Sequence, residues 1–456
     1  MFANRRAAGK RNRVAGGAVQ ATLSPGTLLG TGSAGGATDA GEGCPVSSGE
    51  AARWSPARRS VAAWVMYDLA NTTFALGVGS RYFGPWLIEE QGGADWQLSA
   101  AIVAAMLAVI VLGPWIGAAS DRRGRRVPYL VGATLVCVAS TALLATWGVV
   151  PSLVFYVVGM IGFHTGAVVY DALLPDVSTP ESIGRISGLG VAVGYAGSAL
   201  AIGLGMYLLP REGYAAVFQA LAVAFLLFAL PAFVWIQERP RTGRTERVPG
   251  LLHAPSAMIR AWRSASRHPG VVRFLVGRFL YTDAINTMFL FNAVFAKLEL
   301  GFTDAQTDRI ALLGILSACL GALSAGRAVD AVGPKRVLNV ALYLQLAGLA
   351  SAIAASLTGV SAIGWLVAVF GGAGVGAAWA SDRVFMTRLT PAHLIGEFFG
   401  LYATVGRFAT VAGPLAWAIA ADWLGWGRTA AVGVMALFVV AAKVVLQPVE
   451  PPTARS

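Results

Sequence analysis

Beginning near Val61, the chain is written in apolar blocks of about 20 residues separated by short polar breaks. A helix of that length, at about 1.5 Å per residue, crosses a hydrocarbon core of roughly 30 Å. Twelve such helices are predicted, over 61–83, 97–119, 127–149, 151–171, 187–209, 215–237, 272–296, 308–329, 336–358, 361–381, 398–420 and 428–448. The pairs covering 127–171 and 336–381 turn through very short links. The chain therefore reads as an all-α membrane protein with many spans.

Polar residues inside these blocks carry the candidate chemistry. The first block contains "YDLANTTF", in which Asp68, Asn71 and Thr72 are spaced i, i+3, i+4 and form one polar stripe. The seventh contains "YTDAINTMF", in which Asp283, Asn286 and Thr287 repeat that stripe. An ionised Asp at a helix centre costs roughly 2.5–3.5 kcal/mol on insertion scales, so each must face protein or water. Both lie roughly 10–15 Å from the nearer helix end, and the stripes are expected to face one another across a cavity. Tyr67 and Tyr281 precede them as candidates for orienting a solute. Arg278 and Arg407 also fall within predicted spans, either as partners for an anionic group of the solute or as neutralising partners of the two carboxylates. His164 reads as a hydrogen-bonded core histidine or a proton relay. Glycine runs at 188–205 and 371–376 read as close helix packing.

Composition agrees with membrane insertion: 56% hydrophobic, 13% charged and a mean hydropathy of +0.63 are far from globular averages. A net charge of +12 raises nucleic-acid binding, but the distribution answers it. With the N-terminus inside, 28 of the 35 Lys and Arg fall on the inner side, five outside and two within spans. Such asymmetry places both termini in the cytoplasm, and no nucleic acid is needed to explain the charge. Residues 1–58 are rich in Gly, Ala, Ser and Thr with basic clusters and read as a disordered cytoplasmic tail or an over-extended start; no apolar core of a signal peptide follows the basic start. Cys44, Cys137 and Cys319 suggest neither disulfides nor a metal site. No phosphate-cradling glycine loop and no nucleophile–base grouping is found, so no cofactor is expected and an enzyme is disfavoured.

The chain repeats itself. "GAASDRRGRR" (Gly117 to Arg126) and "GRAVDAVGPKR" (Gly326 to Arg336) both fit G-x-x-x-D-x-x-G-x-[RK], 209 residues apart. "TPESIGRISGLGVAVG" parallels "TPAHLIGEFFGLYATVG", and Asp68 and Asn71 match Asp283 and Asn286 at an offset of 215. The expected organisation is a tail (1–58), a six-helix bundle (59–237), a basic cytoplasmic linker (238–271), a second six-helix bundle (272–448) and a short tail (449–456), the bundles related by a pseudo-two-fold axis.

The paired loops resemble the signature of the major facilitator superfamily. Within it, "YDLANTTF", "VYDALLPDVSTPESIGRISGLGVAVGYAGS" and "GEFFGLYATVGRFATVAGP" resemble the autophagy-related vacuolar amino-acid effluxers and their bacterial relatives, across about residues 61–448. The tenth span departs from that pattern, carrying "WASDRVF" in place of a Gln/Ser-rich run. The resemblance implies that two halves rock about a central cavity lined by helices 1, 4, 7 and 10, with a solute near mid-membrane. Asp121, Arg122, Arg125, Arg126, Asp330, Lys335 and Arg336 are then gate and topology elements, Asp121 pairing with basic groups or a helix end while the inner side is shut.

The expected function is secondary transport of a small polar solute, with amino acids or similar zwitterions favoured, because an Arg suits a carboxylate and an Asp an ammonium. Protons are the candidate coupling ion, through Asp68 or Asp283. The alternatives are export of drugs or amphiphiles, and a non-transporting sensor or scaffold that uses the tail and linker. A monomer in a bacterial plasma membrane is expected, with the bilayer and the solute as its partners.

Overall fold

The computed structural model describes residues 55–239, 250 and 254–450. Most of the predicted tail, Cys44, and linker residues Arg241, Arg244 and Arg247 lie outside the described residues. Among the described residues, twelve crossing helices follow in order. They are α1 (58–90), α2 (Asp95–Arg123), α3 (Val127–Ala142), α4 (Val149–Ala172), α5 (183–212), α6 (214–235), α7 (Pro269–Leu298), α8 (Asp304–Val332), α9 (Pro334–Thr358), α10 (Ser361–Leu389), α11 (395–423) and α12 (Gly427–Leu446). Helices α5 and α6 form one 53-residue run broken only at Gly213, whose φ of 76° and extended ψ make the turn. Among the crossings, α3 is short, with 16 residues, and α1, α10 and α11 each contain π-helical turns.

Local chemistry sets the ends. Gly124 closes α2 in the left-handed region at φ 64°, Thr303 and Gln306 form a capping box at the start of α8, and Pro334 opens α9. Two boundaries correct the sequence reading. Helix α3 stops at Ala142, well before 149, and a turn containing Ala145 (φ 61°) leads to α4. Helix α10 runs to Leu389, where Thr390 turns extended ahead of Pro391. Arg383, which a span ending at 381 leaves among the inner loops, is therefore inside the helix and only 5% exposed.

Helices α1–α6 and α7–α12 form two six-helix halves. Stacked aromatics fill the first: Trp64 on Tyr170 at 4.6 Å, Tyr67 on Tyr170 at 5.1 Å and Phe83 on Tyr156 at 4.1 Å. The halves meet through α2 with α11, α5 with α8 and α10, and α4 with α11. The linker holds a further helix, Ala254–Ser266, which the sequence reading left as a loop. Its stripe of Ala254, Ala257, Ala261 and Ala265 is buried, and the helix packs on α2 of one half and α11 of the other.

Candidate functional site

One membrane face carries the α2–α3, α4–α5, α8–α9 and α10–α11 connections and the linker; it is called the basic face below. On it, carboxylates of one half cap helices of the other. The first N–H groups of a helix have no partner within it and carry partial positive charge. Asp330 accepts from the N–H groups of Gly184 (2.6 Å) and Arg185 (2.9 Å) at the start of α5, and from Arg185 Nε at 3.1 Å. Asp121 mirrors it, accepting from the Glu397 N–H at the start of α11 at 3.0 Å. Asp121 is also held by Arg126 Nη2 at 2.6 Å, and the fully buried Arg126 reaches Ala172 O and Asp176 through Nη1. Glu238 accepts from the N–H groups of Arg126 and Val127 at the start of α3.

Glycines let these ends meet. A Cβ on Gly117 would overlap Gly396 O, one on Gly188 would overlap Ala322 O, and one on Gly184 would lie 2.5 Å from Gly326 O. A Cβ on Gly400 would lie 2.5 Å from Pro114 Cα. Two ladders of backbone contact, α2 on α11 and α5 on α8, thus close the basic face. The remaining predicted gate residues do less. Lys335 donates to Gln447 O at 2.9 Å within its own half, Arg122 is half-buried, and Arg125 and Arg336 are exposed.

Deeper along the same axis lies a charged layer. Arg383 on α10 enters the first half: its Nε donates to Ser187 Oγ at 2.7 Å and Nη2 to Ser187 O. Both terminal nitrogens lie 3.3 Å from Asp68 Oδ2, Nη1 lies 3.8 Å from Asp171 Oδ1, and Cζ sits 4.8 Å from the Trp64 ring centre. Ser187 Oγ in turn donates to Ala380 O. In the second half, Arg278 Nε pairs with Asp382 at 3.2 Å, its Cζ lies over the Tyr402 ring and its Nη1 donates to Tyr402 O, while Tyr281 O–H donates to Asp382 at 3.1 Å. Asp68 and Asp171 keep 16% and 21% of their side chains exposed; Asp382 keeps 1%.

Arg407 is different. It makes no ion pair among the described residues, its Nε is buried without a partner, and it lies within electrostatic reach of Arg278, Asp171 and His164. His164 is 4% exposed with an unpartnered Nδ1.

The structure corrects the expected facing of Asp68 and Asp283. Asp283 is 0% exposed and turned into its own half, where Oδ2 accepts the Gly413 N–H at 2.7 Å. A Cβ on Gly413 would crowd Asp283 Oδ1, so the glycine is what admits the carboxylate. Nor does Arg278 or Arg407 pair with Asp68 or Asp283, because Arg278 is taken by Asp382. Tyr67 is likewise turned inward, 2.6 Å from Thr134 Oγ1. Asn286 donates to Ala409 O at 2.7 Å, and Asn71 is buried with Oδ1 unpartnered. The residues missed are Asp171, Ser187, Asp382 and Arg383. One signal was available: Asp171 and Asp382 stand 211 apart, the same offset as Thr179-Pro180 and Thr390-Pro391.

Comparisons with known proteins agree with this architecture. The family model described as Major Facilitator Superfamily matches residues 65–414 and 284–456. The chain is 25% identical over 403 residues, 83% of its length and 92% of the relative's, to the uncharacterized MFS-type transporter YxiO of Bacillus subtilis. It is 26% identical to autophagy-related protein 22 of Yarrowia lipolytica over 265 residues, which cover 51% of this chain and 44% of that protein. Among solved structures, the human organic anion transporter MFSD10 (TETRAN) superposes with a TM-score of 0.71 at 19% identity, covering 86% of this chain and 100% of that one. With twelve crossing helices in two halves, paired loop carboxylates and a family match across most of its length, the chain belongs to the major facilitator superfamily of membrane transporters.

Proposed function

We propose that the protein is a secondary transporter of a small zwitterion, an amino acid or a close analogue, moved by alternating access. The observation that carries this is the Arg407 guanidinium, without an ion pair among the described residues, near the partly exposed Asp68 and Asp171 carboxylates. A guanidinium without a carboxylate partner favours an anionic group of the solute, and carboxylates open to the cavity favour an ammonium. Likeness to autophagy-related protein 22 supports an amino-acid-like solute. The charge asymmetry supports a cytoplasmic basic face, with both termini on that side, and the bacterial relative supports a plasma membrane. Residues 59–237 and 272–448 are the two moving bodies in this reading. A second reading, a purely anionic organic solute, draws on the Arg407–His164 pair and on the fold shared with MFSD10.

Counterflow in proteoliposomes tests both. A labelled panel of amino acids, the matching amines without a carboxylate, and carboxylates without an amine is offered to wild type and to Arg407→Gln. Amino acids are expected to exchange in wild type and to lose tenfold or more in apparent affinity in the variant, of the order of a lost charge-assisted pair. Exchange of carboxylates alone selects the second reading. Exchange of amines or amphiphiles alone, unaffected by the variant, overturns both.

A further inference from the structure

The two halves are not equivalent in how they neutralise their carboxylates. Asp171 on α4 and Asp382 on α10 occupy the same place in the repeat. Asp382 is served from within its own half, by Arg278 and Tyr281 of α7. Asp171 and Asp68 belong to the first half, and among the described residues the guanidinium paired with them is Arg383 of the second half. The position equivalent to Arg383 in the first half is Ala172, so that half has no counterpart cation there.

Movement therefore treats the two layers differently. When the α2–α11 and α5–α8 ladders part, the Arg278–Asp382 pair travels intact. Arg383 must leave Trp64, Asp68, Asp171 and Ser187 behind, since all four belong to α1, α4 and α5. A buried cation stripped of its anions, and anions stripped of their cation, are both costly. Opening of the basic face then requires that another positive group take over at Asp68 and Asp171.

We propose that Arg383 is an internal cation holding the basic face closed, displaced from Asp68 and Asp171 by the cationic group the protein transports, a proton or a substrate ammonium. This rests on the transporter reading above and adds where the cation binds and what it competes with. The groups facing the carboxylate pair are Tyr170 on α4, Tyr195 on α5, Arg278 on α7, Asp382 and Arg383 on α10, and Tyr402 and Arg407 on α11. Arg278 is engaged by Asp382, and among the described residues Arg407 approaches neither carboxylate within ion-pair distance. That leaves Arg383 as the cation to be replaced.

A distance measurement across the α5–α8 contact tests this without knowledge of the solute. Spin labels go on Glu181→Cys and Arg327→Cys, two exposed positions in different halves, in the full chain with Cys44, Cys137 and Cys319 replaced by Ala and reconstituted in nanodiscs. In mildly alkaline sodium buffer a short distance is expected. Acid alone should lengthen it if the proton is the displacing cation; methylammonium at equal ionic strength should lengthen it, where sodium does not, if the ammonium is. Arg383→Gln, and Asp68→Asn combined with Asp171→Asn, should show the long distance in every buffer, and Arg383→Lys should retain the short one in alkaline buffer. A short distance in Arg383→Gln with the wild-type response overturns the proposal. Should the Gln and Asn variants fail to fold, a wild-type distance indifferent to acid and to methylammonium overturns it equally. Distances that move as stated in a protein that exchanges no amino acid would sink the zwitterion reading alone.

Discussion

Asp68 and Asp283 occupy matched sequence positions, yet Asp68 keeps 16% of its side chain exposed while Asp283 is buried, and their partners differ. Gly413 lets the Asp283 carboxylate lie against the α11 backbone and accept its N–H, whereas Asp68 faces Arg383 across the interface. Asp283→Asn keeps an oxygen for that hydrogen bond. It is expected to retain gradient-driven accumulation of the solute found by counterflow, at a stability cost of about 1 kcal/mol. Asp171→Asn removes a carboxylate open to the cavity and should keep exchange while losing accumulation; uptake with and without a pH gradient separates the two. The polar stripes were legible because an Asp and an Asn three apart stand out in an apolar block. Their partners were not, since hydrogen bonding across a bundle leaves no trace in local spacing. Asp171 and Asp382 escaped notice because each lies at the end of an apolar run, where a carboxylate looks like the start of a loop.

At the scale of elements, the paired loop motifs put Asp121 and Asp330 where a helix of the other half begins, and Asp121 accepts a backbone N–H there. What spacing did not convey is that Asp330 likewise caps backbone N–H groups as well as binding Arg185, nor that the motif glycines Gly117 and Gly326 are the contact surface itself. Gly396→Val places a branched side chain against Gly117 O and Asp121. Overpacking of this kind costs about 1–3 kcal/mol, and here it falls on one conformation only, so the population should shift several-fold to about a hundredfold toward the open basic face. Thiol labelling of a cysteine at Ser187, buried in the closed form, reads the shift; labelling no faster than in the Gly396 parent would make these glycines incidental. The linker helix escaped the sequence reading because its buried face is built of alanines, which carry little hydropathy signal in a stretch rich in arginine.

For the molecule as a whole, sidedness is expected to follow from charge. Arg211→Cys, at the exposed turn between α5 and α6, is expected to react with an impermeant maleimide added to intact cells. Arg263→Cys on the exposed side of the linker helix should react only after permeabilisation. The reverse pattern would invert the orientation. The twelve crossings were readable from hydropathy because each spans a fixed hydrocarbon thickness; which conformation the halves adopt was not, since both share one set of helices. The backbone-to-backbone character of the two ladders has a thermal consequence. Heat-capacity changes scale with the apolar surface that meets water, and glycine rungs backed by ion pairs expose little of it when they part. The opening equilibrium of the basic face should therefore carry a small heat-capacity change, and its enthalpy should stay nearly constant across the growth range, so that warming and cooling tilt the two conformations steadily and without a temperature of greatest preference.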